Sequence, residues 1–304
     1  MADELNTTTT SDDFVPEIWA RNCLLAFTDH TANGALSVAT DVSQFLSEGG
    51  DIINVPKQIA VSLAAETEGT AIEYSRFCSS VVTLNVNTNK AILVGLTDVL
   101  RGQANQDPSV YFTEQMAANA AKNIDASIMG IYASASITVT GVTSANLAEA
   151  DIRSAKRQMD AANAPKKRFL LVDSQHMDAL SAITRFTQAD SIGSGAGIIE
   201  GIVGRIHGFD VIVSENETGT TDGFKHLLAG VYGQPNPFNN SLQYATMKFR
   251  PKLSLVNYFD VPVAGLRVTI DNDNKLGSDG IRGHQKYGVA TWRPEWLCNI
   301  KVAD

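Results

Sequence analysis

Cysteine is scarce in this chain. Its three thiols, Cys23, Cys78 and Cys298, lie far apart in 304 residues, so the sequence has neither a disulfide framework nor a CxxC metal knuckle. Ordinary thiols in a reducing compartment are the expectation. Basic charge is also in deficit. Against 33 Asp and Glu stand 24 Lys and Arg, a net charge of −9. That argues against a protein that works by neutralising phosphates, though not against one that encloses nucleic acid without gripping it. No apolar run approaches membrane-spanning length. The first ten residues lack the basic and apolar regions of a signal peptide. The expectation is a product made in the cytoplasm that engages no membrane, with the sequons at Asn6 and Asn216 as chance matches.

Catalytic motifs are missing too. The five histidines, His30, His176, His207, His226 and His284, fall in no HExxH or comparable ligand spacing. The Gly-rich stretch at 193–204 does not make G-x-G-x-x-G, and the Gly-Lys dipeptide of a P-loop occurs nowhere. Gly193-Ser-Gly-Ala-Gly197 puts serine second rather than third, which is no nucleophile elbow. The expectation is a protein that is not an enzyme and uses no metal and no cofactor. The rival from another class is a small-molecule-binding protein or hydrolase built on residues 144–225. It would need a pocket of convergent polar groups, and no motif supplies one.

What is present is a folded, segmented chain. An apolar fraction of 44% and a charged fraction of 19% are ample for a buried core. Residues 1–13 are polar and acidic, and no basic residue precedes Arg21. Residues 14–27 read as an amphipathic helix. Pro16 suits its first turn, and Trp19, Cys23, Ala26 and Phe27 share a stripe. Nothing nearby in sequence can cover that stripe, so its partner is expected on another subunit. Residues 51–80 read as a strand leading into a long two-stranded excursion with Glu66 and Glu68 at its tip. A lone ribbon is marginal in water, so the segment is expected either to be floppy or to lie on a neighbour.

Strands are expected at 81–86 and 91–94. A long helix is expected from Asp107 to about Tyr132, with Met116, Ala120, Ile124, Ile128 and Ile131 on one face. A second helix is expected from near Ser144, then a buried strand at 168–172 and a third helix capped by Asp173. In Gly201-Ile-Val-Gly-Arg-Ile-His-Gly-Phe-Asp-Val-Ile-Val-Ser214 the glycines mark turns and the end alternates as a strand, the inner strand pair of its domain. Segments 242–249, 252–259 and 263–271 read as strands, 272–286 as a loop or hairpin tip, and 287–300 as two strands around a Pro break. Arg153, Lys156, Arg157, Lys166, Lys167 and Arg168 form the only basic concentration in the linear sequence, a solvated helix face by default.

The order of these pieces resembles the tailed-phage major capsid proteins of the Hong Kong 97-like (HK97-like) fold. The resemblance rests on Phe14-Val-Pro-Glu-Ile-Trp19, Gly50-Asp-Ile-Ile-Asn-Val-Pro56, the helix from Pro108, Lys167-Arg-Phe-Leu-Leu-Val172, the Gly201–Ser214 stretch and Tyr287-Gly…Arg293-Pro-Glu295. It implies an α+β fold with an N-terminal arm (1–50), an extended β loop (51–80), a peripheral domain (81–143 and 226–304) carrying a spine helix (107–132), and an α/β axial domain (144–225). It implies a coat protein that self-assembles as hexamers and pentamers into an icosahedral virion shell around double-stranded DNA, without sequence-specific binding. Scaffolding, portal and decoration proteins are the further partners it implies. An encapsulin-like nanocompartment shell of the same fold is the alternative. The candidate subunit-interface residues are Phe14, Trp19, Lys57, Glu66, Glu68, Arg76, Arg153 and Arg157. In some relatives a loop lysine joins an asparagine covalently; Lys57 would be the candidate here.

Overall fold

A computed structural model of the protein describes residues 34–46, 50–56, 81–97, 103, 108–140, 147–182, 204–215, 224–249, 258–261, 265–273 and 278–303. The expected arm helix at 14–27, the loop at 57–80 and the Gly-rich stretch at 191–201 lie outside these residues.

The described chain opens with helix α1 (Gly34–Val38) and strand β1 (Thr40–Asp41). Strands β2 (Ile52–Pro56) and β3 (Val81–Asn85) pair antiparallel as a two-stranded ribbon, with Ile53 opposite Leu84. Next come β4 (Thr88–Thr97) and the long helix α2 (Pro108–Met129). Met116, Ala120, Ile124 and Ile128 of α2 are buried, as their spacing requires. Beyond α2 lie β5 (Ile137–Thr140), helix α3 (Glu149–Ala161), β6 (Arg168–Val172) and helix α4 (Ser174–Ser181). Strand β7 (Arg205–Ile206) turns through His207-Gly208 into β8 (Phe209–Val213). The rest is β9 (Phe224–Val231), β10 (Gln243–Thr246), β11 (Tyr258–Val261), β12 (Leu266–Asp273), β13 (Ser278–Ala290) and β14 (Cys298–Ala303).

Two sheets result. The first runs β1-β10-β13-β12-β11, with β4 also on β13; the second runs β5-β14-β9-β6-β8-β7. Helix α2 lies between them. Its buried face shares one core with Leu266, Val268, Ile281 and Tyr287 of the first sheet and with Phe169, Leu171 and Leu228 of the second. The opposite face of the second sheet packs Leu170, Val172 and Phe209 against Ile152, Ala155 and Met159 of α3. Strand β6 is therefore covered on both sides, which explains its unbroken apolar run. Each fully buried Ile or Leu here contributes about 1.5–3 kcal/mol.

Local chemistry sets the element ends. Asp173 caps α4, accepting from the His176 N–H at 2.9 Å. The second helix begins at Glu149 rather than near Ser144, because Asp151 reaches back to the Ala148 N–H at 3.1 Å and fixes the start there. His207 and Gly208 both have positive φ, 47° and 92°. Such a pair makes the tight two-residue hairpin whose twist matches its strands.

Three other expectations differ from the structure. The β7–β8 hairpin is the edge of the second sheet, not an inner pair, because β6 takes the only other side of β8. Residues 272–286 are mostly strand. Their polar, Gly-rich composition is overridden by pairing of β13 with β12 on one side and β4 on the other. Finally, β5, β9 and β14 come from stretches expected in the peripheral domain, yet they pair within the same sheet as β6 and β8. Long-range strand order set that sheet's membership, and one sequence does not encode strand order locally.

Candidate subunit-contact surfaces

The base of the β2–β3 ribbon is seated on the first sheet. Gly288 of β13 passes so close to Asn85 that a Cβ would stand 2.1 Å from the Asn85 carbonyl oxygen. Only glycine admits that approach. The Trp292 indole N–H donates to the Val82 carbonyl at 3.2 Å. Its ring meets Phe238 edge-on at 4.6 Å, and Phe238 in turn meets Phe45 at 4.8 Å. Leu84, Val86, Ile53, Val42, Ala245 and Trp292 form a separate small core beneath the ribbon. Whatever residues 57–80 do, they start and end on a fixed base.

The start of the described chain is tied down as well. Asp125, fully buried near the C-terminal end of α2, accepts from the Leu36 N–H at 2.7 Å and from the Ser214 hydroxyl at 2.8 Å. One carboxylate thus joins α1, α2 and the end of β8. Two side chains of β13 also grip α2. Gln285 Nε2 donates to the Ala120 carbonyl at 2.9 Å, and the Tyr287 hydroxyl donates to that of Asn123 at 3.0 Å. The sequence signal for Asp125 is an acid beside the apolar stripe Ile124–Ile128. Nothing in the sequence names its partners.

A third polar site lies at the C-terminal end of β6 and the N-terminal end of β9. Asp173 binds Lys225 at 2.6 Å and contacts the fully buried His176 through Nδ1. Burial alone would raise the Asp173 carboxyl. The hydrogen bonds from His176 and Lys225 more than offset it and hold the group well below its ordinary 3.8. A depressed carboxyl stabilises the fold above its unfolded value and loses that contribution as pH falls toward its folded one. Replacing Asp173 by Asn keeps the cap but removes the charge that faces Lys225, at an expected cost of about 2–3 kcal/mol near neutrality. Denaturant titrations at pH 7 and pH 3 should show that gap narrowing in acid. A pH-independent gap would mean the charge contributes nothing.

Much of the remaining described surface is apolar where a solitary subunit would gain nothing from it. Strand β4 is an edge of the first sheet among the described residues, and its Leu93 is 70% exposed and its Ile92 45%. Val81 (57%), Ile52 (48%) and Phe45 (46%) are exposed around the ribbon base. Unpaired apolar edges of this kind template contacts with other chains. A groove of about 300 Å³ beside β4 is lined by Ile92, Met116, Asn119 and Leu266. Among the described residues no group of His, Cys, Asp and Glu is arranged to hold a metal, and no helix is long and apolar enough to cross a membrane.

Of the sequence-predicted interface residues, Phe14, Trp19, Lys57, Glu66, Glu68 and Arg76 lie outside the described residues. Arg153 and Arg157 are both exposed, one turn apart on α3. Arg153 stands 4.0 Å from Glu149, and Arg168 is turned inward to Asp160 at 2.7 Å. That helix is not the only basic concentration. Arg282, His284 and Lys286 alternate along β13, and cross-strand pairing brings the buried Arg267 of β12 beside them. The sequence marks Ile92 and Leu93 only as part of a short strand, because edge position is invisible to strand propensity.

Comparisons with known proteins bear on these surfaces. A family profile described as phage capsid protein matches residues 82–300. No curated protein sequence matches the chain. Among solved structures, a chain from Mycobacterium phage Che8 is 20% identical with a TM-score of 0.61, covering 84% of this chain and 89% of that one. A chain from the capsid of the cyanophage P-SCSP1u is 15% identical with a TM-score of 0.65, covering 88% and 86%. A chain from the capsid of a native GTA particle is 16% identical with a TM-score of 0.63, covering 90% and 91%.

Proposed function

The chain belongs to the phage capsid protein family, with the HK97-like fold, and from that premise we propose how it builds its shell. It is a major capsid protein, and its function is self-association rather than catalysis. Its copies join as hexamers and pentamers into an icosahedral head that encloses double-stranded DNA, by heterologous contacts repeated until the surface closes. The first sheet with α2 is the peripheral domain, and the second sheet with α3 and α4 the axial domain. Residues 1–50 act as the arm and 51–80 as the overlapping extended loop. Phe14, Trp19, Lys57, Glu66, Glu68 and Arg76 make contacts from these extensions, and Arg153 and Arg157 from the α3 face.

The family match across 82–300 carries this reading. The exposed apolar residues of β4 and the ribbon base support it, since shell contacts would cover them. Electron microscopy of the purified protein is the test. Uniform hollow or filled particles are expected, with nuclease-protected duplex DNA in particles taken from infected cells. A persistent monomer or dimer across salt and pH would overturn assembly. Particles filled with protein would make the shell a nanocompartment instead.

A further inference from the structure

A row of basic side chains runs along the face of β13 that points away from α2. Gly283 faces Met116 and Ile92 on the α2 side. Strand alternation therefore turns Arg282, His284 and Lys286 to the other side. In register, Leu93 stands opposite Arg282, Ala91 opposite His284 and Asn89 opposite Lys286. Across the next strand, Arg267 stands opposite His284. The Phe249 ring lies 5.1 Å from the Arg267 guanidinium and 4.8 Å from the His284 ring. Burial first, and then its neighbours Arg282, Arg267 and Lys286, lower His284 from its ordinary 6.5, so the lasting positive charge of the row belongs to the arginines and Lys286. Among the described residues neither Arg282 nor Lys286 has an ion-pair partner. Asp51 shares a groove with Lys286 without bridging it. In a chain of net charge −9, the exposed Arg282 and half-buried Lys286 beside a leucine 70% exposed make a surface shaped for something acidic and apolar.

We propose that this face docks residues 12–19 of a second copy in the assembled shell. The inference rests on the arm reading above and gives the arm an address. The segment Asp12-Asp-Phe-Val-Pro-Glu-Ile-Trp19 interleaves three acids with Phe14, Val15, Ile18 and Trp19, and no basic residue precedes Arg21. Its charges oppose those of the face, and its large apolar side chains suit Leu93 and the Phe249 ring. Fourteen residues lie between Trp19 and Gly34, the start of α1. With 20–27 helical and the rest extended they span about 35 Å, enough to reach a neighbouring subunit. Packaged DNA is the weaker occupant. A phosphate grip gains nothing from exposed Leu93, and the overall charge opposes it.

Charge reversal in the full-length chain tests this. Arg282→Glu with Lys286→Glu changes two side chains without ion-pair partners among the described residues, so circular dichroism and melting of the subunit should be unchanged. Shell yield should fall about tenfold or more, because like charges would meet across the contact. Asp12→Lys, Asp13→Lys and Glu17→Lys together should have the same effect. An equimolar mixture of the two defective proteins should then recover most of the yield, since each arm meets a complementary face on the other protein. No recovery on mixing, with recovery when both sets share one chain, would place the arm on its own body and overturn docking in trans. Recovery in neither arrangement would overturn the pairing altogether. Normal shells from the Arg282/Lys286 variant that fail to retain DNA would assign the face to the genome. If deleting the arm stops assembly while reversing its charges does not, the arm matters but docks elsewhere. That outcome sinks this proposal and leaves the capsid reading intact.

Discussion

Replacing Trp292 by Ala is expected to destabilise the subunit by about 3–5 kcal/mol, the range for removing a large buried aromatic. The side chain is 3% exposed, fills the small core under the ribbon, packs edge-on to Phe238 and donates to the Val82 carbonyl. Loss of the ring should therefore do more than lower stability. It should release the ribbon base from the first sheet and misplace the loop that leaves from it. Hydrogen exchange at Val82 and Leu84 should accelerate more than exchange in β6. Shells should be few even at temperatures where the subunit stays folded. Trp292→Phe keeps most of the packing and loses only the indole hydrogen bond, so it should cost about 1–2 kcal/mol and still assemble. If Trp292→Ala assembles normally, the seat under the ribbon does not govern assembly.

Deleting residues 1–30 should have the largest effect on assembly and almost none on folding. The cut falls before α1, whose Leu36 N–H is held by Asp125 and whose end adjoins the well-buried Val42. The body should therefore keep its melting temperature within about 2–4 °C, a shift of roughly 1 kcal/mol at this size. Sedimentation and electron microscopy should show subunits or small oligomers in place of shells. Trp19→Ala should be intermediate, since truncating one large aromatic in a contact commonly costs about 2 kcal/mol or more. Normal particles without residues 1–30 would remove the arm from the mechanism, and with it the reading of Trp19 and Phe14 as contact residues.

Local pattern reaches some elements and not others. The long helix is legible because Met116, Ala120, Ile124 and Ile128 recur with helical period and Pro108 suits a first turn. Strand β6 is legible because a strand covered on both faces must be apolar throughout, and Arg168-Phe-Leu-Leu-Val172 nearly is. The α4 cap is legible because an Asp before a helical stripe has one common use. Strand β13 is not. Its N-terminal half is polar and Gly-rich, and its strand character comes from β12 and β4, which flank it in space. Asp125 gives half a signal, an acid near an apolar face, without the α1 and β8 groups that justify its burial.

The linear chain settled the class of protein and much of its order. Its acidity, its lack of any catalytic spacing and its run of ribbon base, long helix and α/β unit follow from composition and local periodicity, which are properties of neighbours in sequence. The fold alone decided the assignments that depend on distant pairing. It put β5, β9 and β14 in one sheet with β6 and β8. It placed the Gly208 hairpin at that sheet's edge, and left Ile92 and Leu93 exposed on β4. It also set Arg267 of β12 beside Arg282, His284 and Lys286 of β13. The physical reason is the same each time. A strand's neighbours, and hence its exposure and its field, are chosen by which distant segment bonds to it, and no local run of residues records that choice.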